Sequence, residues 1–353
     1  MPTLKRIGLF IAVPLLGISI FAGVSLWSLQ QYFGDTSHLK QWLIESNMYA
    51  AVRKEIVSQT VKATKEANKN DASITLSTPV VTKALEKSLT QPYLQATAEE
   101  ILDGTYAWLA GSAPKPTYNI DVDPVKKAFA SSIVDSADAR LDTLPDCVLP
   151  DQATTTDPFT VNCKPPASVS NQELQRLKKE IVNNKDFLPQ DITADTYALS
   201  ETASSAAGQQ PPAQPWYQSV SALPTVFQWM ARGSIIFLVL GLLSVAGVVF
   251  CSTSRRNGVR RVGVTMLTSG LALALASAAA LMMGGFIRTP VADKNSPLYE
   301  PVLALFKLAT EAVSRWQLIT SLVIAAIGGG IVLGLRLTKS NVPAVSTVTK
   351  NRK

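Results

Sequence analysis

The 353-residue sequence contains one histidine, His38, and three cysteines, Cys147, Cys163 and Cys251. So little imidazole and thiol leaves few ways to build a metal centre or a nucleophile with its base. No Cys-x-x-Cys, His-Glu-x-x-His or Gly-x-Ser-x-Gly spacing occurs either. The glycine-rich loops that cradle phosphates are missing too, so any ATP dependence would come from a partner. The sequence predicts neither a metal nor a cofactor.

Charge is the other scarcity. Charged residues make up 17% of the chain, against roughly 25% in a soluble globular protein. They are absent altogether from residues 7–29, 234–250, 262–287 and 317–335. Each stretch is close to the roughly 20 residues a helix needs to cross a hydrocarbon core of ~30 Å, and an open chain can cross only as a helix. The first stretch follows Lys5 and Arg6 as a secretory signal would, but it exceeds the 7–15 apolar residues of such a signal and reads as an uncleaved anchor. With no Asp, Glu, Lys, Arg or His inside them, the spans lack the groups that ion-coupled transporters use. A self-sufficient secondary transporter is therefore disfavoured.

The charges that are present sort by segment. Lys5 and Arg6, then Arg255, Arg256, Arg260 and Arg261, then Arg336, Lys339, Lys350, Arg352 and Lys353 flank the spans with no acidic residue among them. Residues 30–230 carry 17 basic and 23 acidic side chains. By the positive-inside rule both termini are expected in the cytoplasm of a plasma-membrane protein, with the large segment between spans one and two outside. The net charge of +7 is then topogenic, and no nucleic-acid partner is expected.

The expected fold class is mainly α: four transmembrane helices plus a mostly helical extracytoplasmic domain between helices 1 and 2. The expected organisation is a cytoplasmic N-terminus at 1–6, a first span at 7–29 and the outer domain at 30–199. A Pro/Ser/Gln-rich linker with an interfacial aromatic segment follows at 200–233. Then come a second span at 234–251, a basic loop at 252–261, a third span at 262–287, an amphipathic outer loop at 288–316, a fourth span at 317–335 and a basic tail at 336–353.

Within the outer domain, Trp42, Leu43, Tyr49, Val52, Ile56 and Thr60 recur at helical spacing and predict one helix over 39–68. Ser77-Thr78-Pro79 opens a second helix with Val81, Ala84, Leu85 and Leu89 on its apolar side. A third is predicted over 92–110, with Gly111 as its C-terminal cap. Residues 118–122 read as a short extended segment, after which Asp123-Pro124 starts a helix carrying Val125, Phe129, Ile133, Ala137 and Leu141. Residues 143–168 hold five prolines, Cys147 and Cys163, and read as a loop stapled by a disulfide in an oxidising compartment. Ser170-Asn171-Gln172-Glu173 has the form of a capping box. Asp135, Asp138, Asp142 and Asp146 read as a solvated acidic face, because a calcium loop would need its glycine. Asp121 and Asp123 read as a turn and a helix cap.

Trp27, Trp216, Tyr217, Trp229 and Trp316 lie beside the ends of spans, where aromatic rings favour the headgroup level. Ser19 and Gly23, Ala326 and Gly330, and Gly330 and Gly334 are each four apart, a spacing that brings helices close in a bundle or an oligomer. Cys251 ends the second span and reads as an ordinary thiol, though juxtamembrane cysteines can be acylated.

The stretch 93–123, with Tyr106-Ala107-Trp108-Leu109-Ala110-Gly111 and Tyr118-Asn119-Ile120-Asp121-Val122-Asp123, resembles uncharacterised bacterial four-span membrane proteins with a large extracytoplasmic domain. That resemblance brings no catalytic residues. One span, a large outer domain and three further spans is also similar in layout to FtsX-type and MacB-type permeases, which implies a separate cytoplasmic ATPase. The reading favoured by the residues is a non-enzymatic envelope binding, scaffold or assembly protein. Its expected partners are the lipid bilayer, another envelope protein or cell-wall polymer, and possible homo- or hetero-oligomers. A transport or mechanotransmission subunit and an extracytoplasmic hydrolase are the alternatives.

Overall fold

The computed structural model describes residues 2–67, 78–148, 158–183, 191–195, 215–283 and 296–340. In chain order the elements are α1 (Pro2–Phe33), α2 (Ser37–Glu45), α3 (Met48–Ala67), α4 (Thr78–Ser88), α5 (Gln91–Leu109), β1 (Asn119–Asp121) and α6 (Asp123–Leu141). They continue with α7 (Ala167–Asn183), β2 (Asp191–Thr193), α8 (Trp216–Ser219), α9 (Leu223–Cys251), α10 (Arg255–Met283) and α11 (Tyr299–Ser340). The fold is mainly helical and divides into two compact units: Met1–Leu39 with Val226–Arg288 and Phe306–Lys353, and Lys40–Thr225 with Thr289–Leu305.

The first unit contains the four helices long and apolar enough to cross a membrane, Arg6–Phe33, Leu223–Cys251, Arg255–Met282 and Tyr299–Thr338. They outrun the uncharged stretches because hydrogen-bonded turns continue into the flanking polar residues. From Tyr299 onward, the segment expected as an amphipathic outer loop is helix continuous with the fourth span: α11 runs unbroken for 42 residues. Large side chains face outward throughout, among them Phe10, Phe250, Leu275 and Met282, each at least 72% exposed. In water such a surface would be an aggregation liability; in a bilayer it is the solvated face.

Inside the bundle, Leu16, Val248 and Val262 form a core with Leu9, Val13, Ile20 and Met266 packed around it. Lipid tails are as apolar as these side chains, so close packing and interhelical hydrogen bonds must hold the helices together. Both occur. A Cβ added to Gly270 would come within 2.8 Å of Ser321 O, and one on Gly328 within 2.6 Å of Gly263 O, so backbones of α10 and α11 meet directly. Gln317 Nε2 donates to Ser25 Oγ at 3.0 Å, and Ser234 Oγ to Gln30 Oε1 at 3.0 Å.

The second unit is built around α6. Val125, Phe129, Ile133, Ala137 and Leu141 recur every four residues on one face, and all are buried. Phe129 and Ile133 pack with Val57, Val81, Ala84, Leu85 and Leu177, while Ala137 and Leu141 pack with Val161 and Leu174. Burying each large side chain contributes roughly 1.5–3 kcal/mol. Val125 belongs to a neighbouring cluster with Tyr49, Leu89, Leu94, Ile120 and Val122. β1 pairs antiparallel with β2, Ile120 opposite Ile192.

Three local expectations are corrected. The helix predicted over 39–68 breaks at Asn47, whose φ of 56° is left-handed; asparagine tolerates that region better than most residues. Past the break the buried face of α3 carries Tyr49 and Val57, while Ile56 is exposed. The helix assigned to a capping box at Ser170 starts earlier, at Ala167: Ser170 N already donates to Pro166 O at 3.0 Å, and its hydroxyl turns to the same carbonyl. Val122, with no side-chain cap bond, is the N-cap of α6, and Asp121 Oδ1 instead accepts from Asp123 N at 2.9 Å. Gly111 does follow the C-cap of α5 with φ 80°, a conformation that glycine adopts without steric cost.

Candidate functional site

In the second unit a disulfide joins Cys147 to Cys163 across 16 residues. The chain on both sides of it is tied further. Cys147 N donates to Lys164 O at 3.1 Å and Lys164 N to Pro145 O at 2.8 Å, forming a parallel bridge between Asp146 and Lys164. From α6, Arg140 Nη1 donates to the carbonyls of Pro158 at 3.0 Å and Val161 at 3.1 Å. The loop is thus a fixed feature of the surface at its described ends. Lys164 Nζ donates to Asp142 Oδ1 at 2.7 Å, which raises the lysine pKa.

The acidic row is spread along α6 and beyond it. Asp135 pairs with Lys87 at 3.0 Å and Asp142 with Lys164, while Asp138 and Asp146 are exposed. Exposed pairs of this kind contribute little stability. Among the described residues no three His, Cys, Asp or Glu side chains are placed to hold a metal ion.

A second cluster surrounds Trp108, buried near the end of α5. Trp216 meets it edge to face at 6.0 Å and Tyr217 at 6.4 Å, geometries that favour aromatic pairs. Trp216 Nε1 donates to Tyr118 Oη at 3.4 Å, and Tyr217 Oη to Asp195 Oδ1 at 2.9 Å. Lys115 holds the other oxygen of Asp195. Hydrogen bonds from Lys115 and Tyr217 lower the Asp195 pKa, and the same bonds raise those of both donors. Trp216 and Tyr217 therefore pack within the second unit. Most of the linker before them lies outside the described residues.

Trp27 and Trp316 stack edge to face at 5.9 Å in the first unit, while Trp229 is 64% exposed. The small residues divide. Ser19 is buried and faces Gly241, and Gly23 touches Phe237; Ala326 is exposed, and Gly330 and Gly334 have nothing within 4 Å of an added Cβ. Arg6, Arg255, Arg256, Arg260 and Arg261 are exposed, and Arg256 Nη2 donates to Leu335 O at 2.6 Å. Lys5 lies in the first turn of α1. Lys350, Arg352 and Lys353 lie outside the described residues.

The first unit also contains a groove of about 800 Å³ between α1 and α9, reaching Met266 and Ile324. Its polar end is formed by Gln30, Gln31, Asp35 and Ser234; its body is mostly apolar and includes Gly23 and Gly241. Asp35 Oδ1 accepts Ser37 N at 2.8 Å and the Ser37 hydroxyl, which lowers the Asp35 pKa. Sequence reasoning missed this groove and the Lys115–Asp195–Tyr217 network. Tyrosine and tryptophan just before a span signal a membrane interface as readily as an aromatic cluster.

Comparison with protein-family models, curated proteins and solved structures finds no match for this chain.

Proposed function

We propose that this is a non-enzymatic, multi-pass plasma-membrane protein whose helical inserted domain lies on the extracytoplasmic side and binds another envelope protein or a cell-wall polymer. The observation carrying this reading is the Cys147–Cys163 disulfide in the inserted domain, a bond that persists in oxidising compartments. The purely basic segments flanking the spans support the same sidedness. The described ends of the disulfide-bonded loop, held by Arg140 and by the Cys147–Lys164 backbone bonds, supply a surface for recognition.

Thiol labelling of intact cells tests the sidedness. A membrane-impermeant maleimide should label Cys147 and Cys163 only after an impermeant reductant, and should leave Cys251 unlabelled throughout. Labelling of Cys251 with protection of the other two would overturn the orientation. Cross-linking of the full chain in cells should capture an envelope component through the inserted domain. Turnover of a cell-wall polymer by the purified protein would refute the non-enzymatic part.

A further inference from the structure

The groove between α1 and α9 has the depth and polarity gradient of a lipid site. Along α9 it extends from Ser234 to Val245, roughly 16 Å at 1.5 Å per residue. Along α1 the lining runs from Leu16 to Gln31, roughly 22 Å at the same rise, so the groove is at least as deep as one leaflet of the hydrocarbon core, roughly 15 Å. Its polar residues gather at the Phe33 end of α1, and the wall deeper in, at Ile20, Phe237 and Leu238, is apolar. Leaving the groove empty would forfeit the dispersion contacts of its lining. Among the described residues of the lining, Asp35 is the one that carries a charge and none is Lys or Arg, so the headgroup end complements a cation.

We propose that this groove holds one phospholipid of the leaflet at the Phe33 end of α1, an acyl chain lying along Gly23 and Gly241 and an ammonium-bearing headgroup on Asp35 and Gln30. On the orientation proposed above this is the outer leaflet, but the site itself depends only on these helices crossing a membrane. Gly23 and Gly241 line the groove where α1 and α9 approach: an added Cβ on Gly241 would lie 3.6 Å from Ser19 Cβ, and one on Gly23 3.4 Å from Phe237 Cβ. A larger side chain at Gly241 would occupy the space of the acyl chain.

The test uses the full chain in vesicles of phosphatidylethanolamine and phosphatidylglycerol, doped in separate arms with photoactivatable acyl-chain versions of each. Cross-links read by mass spectrometry should concentrate on Ile20, Phe237 and Leu238 over the outward-facing Leu243 and Leu275, with the ethanolamine probe labelling several-fold more than the glycerol probe. Gly241→Leu should cut groove labelling several-fold while Leu243 labelling stays unchanged, which also reports that the bundle has folded. Asp35→Asn, which leaves the groove's shape intact, should erase the preference between the two headgroups. Equal labelling of Ile20 and Leu275, a preference for the glycerol probe, or a protein–protein cross-link through Phe237 that excludes both probes would each overturn the proposal. Reversed sidedness in the thiol experiment would leave these outcomes untouched, so the two readings fail separately.

Discussion

The Tyr217 hydroxyl donates to Asp195 Oδ1 at 2.9 Å, while Lys115 engages the other oxygen of the same carboxylate. This one carboxylate joins the turn after α5, the end of β2 and the short helix α8. Tyr217 and its neighbour Trp216 both lie against Trp108, so the polar and aromatic contacts fasten the same segment.

That fastening should depend on pH at both extremes. Asp195 has its pKa lowered from 3.8, so its contribution is present above that value and disappears as pH falls through the lower folded value. Lys115 and Tyr217 have theirs raised from 10.5 and 10.0, so their contributions are present below those values and disappear as pH rises through the folded ones. All three groups are solvent-accessible, and the effect should be modest. Tryptophan fluorescence of the full protein should be flat between about pH 5 and 9, with a local change on either side. Asp195→Asn should remove the acid-side change; an unchanged acid limb in that variant would show that another carboxylate governs it.

Removing the disulfide should destabilise the second unit without unfolding the spans. Closing a 16-residue loop is worth about 3 kcal/mol in the chain-entropy account. The Arg140 bonds to Pro158 and Val161 keep part of the loop in place in Cys147→Ser/Cys163→Ser. Denaturant unfolding with and without reductant measures the difference. A loss below about 1 kcal/mol would mean that the unfolded chain is already constrained there.

How much of this was legible in the sequence depended on whether a feature is local. The helix α6 was readable because Asp123-Pro124 marks its start and five apolar residues repeat every four positions along it, a pattern that admits one buried face. The break at Asn47 was not readable, since the apolar periodicity carries on through it and only the backbone reverses. Spacing alone placed Gly330 and Gly334 among packing residues; within one chain both meet open space, while Gly263, Gly270 and Gly328 are among the glycines whose missing side chains face the backbone of a neighbouring helix. Which face of a glycine-rich helix meets its neighbour is set by the neighbour. The groove beside Gly23 and Gly241 was hidden for the same reason: a small residue can close a helix pair or leave a hollow, and the facing side chains decide.

Glycine substitutions should separate those two cases. Gly328→Ala places a Cβ 2.6 Å from Gly263 O and 2.6 Å from Leu267 N, contacts with backbone that no rotamer change relieves. It should lower bundle stability by about 1–3 kcal/mol, the usual cost of overpacking. Gly330→Ala meets open space and should be neutral or stabilising by up to about 1 kcal/mol through helix propensity. Thermal unfolding in one detergent compares them directly; similar losses from both would place a second chain against the Gly330 face.

Two tyrosines in the Ile120 cluster should respond oppositely to loss of a hydroxyl. Tyr93 Oη donates to Asp121 O at 3.0 Å, so Tyr93→Phe leaves the carbonyl of a strand residue without that donor and should cost about 1 kcal/mol. Tyr49 is 4% exposed and its hydroxyl finds no hydrogen-bond partner among the described residues. Burial raises the pKa of both phenols, but only for Tyr93 does a hydrogen bond offset the desolvation of the hydroxyl. Tyr49→Phe removes a desolvated polar group while keeping the ring, and should leave stability unchanged or raise it by up to about 1 kcal/mol. Denaturant midpoints of the two variants should therefore fall on opposite sides of the parent or, at the least, differ by the Tyr93 loss. A drop for Tyr49→Phe as large as that for Tyr93→Phe would reveal a partner for the Tyr49 hydroxyl, and with it a polar contact inside the cluster that joins α3 to β1.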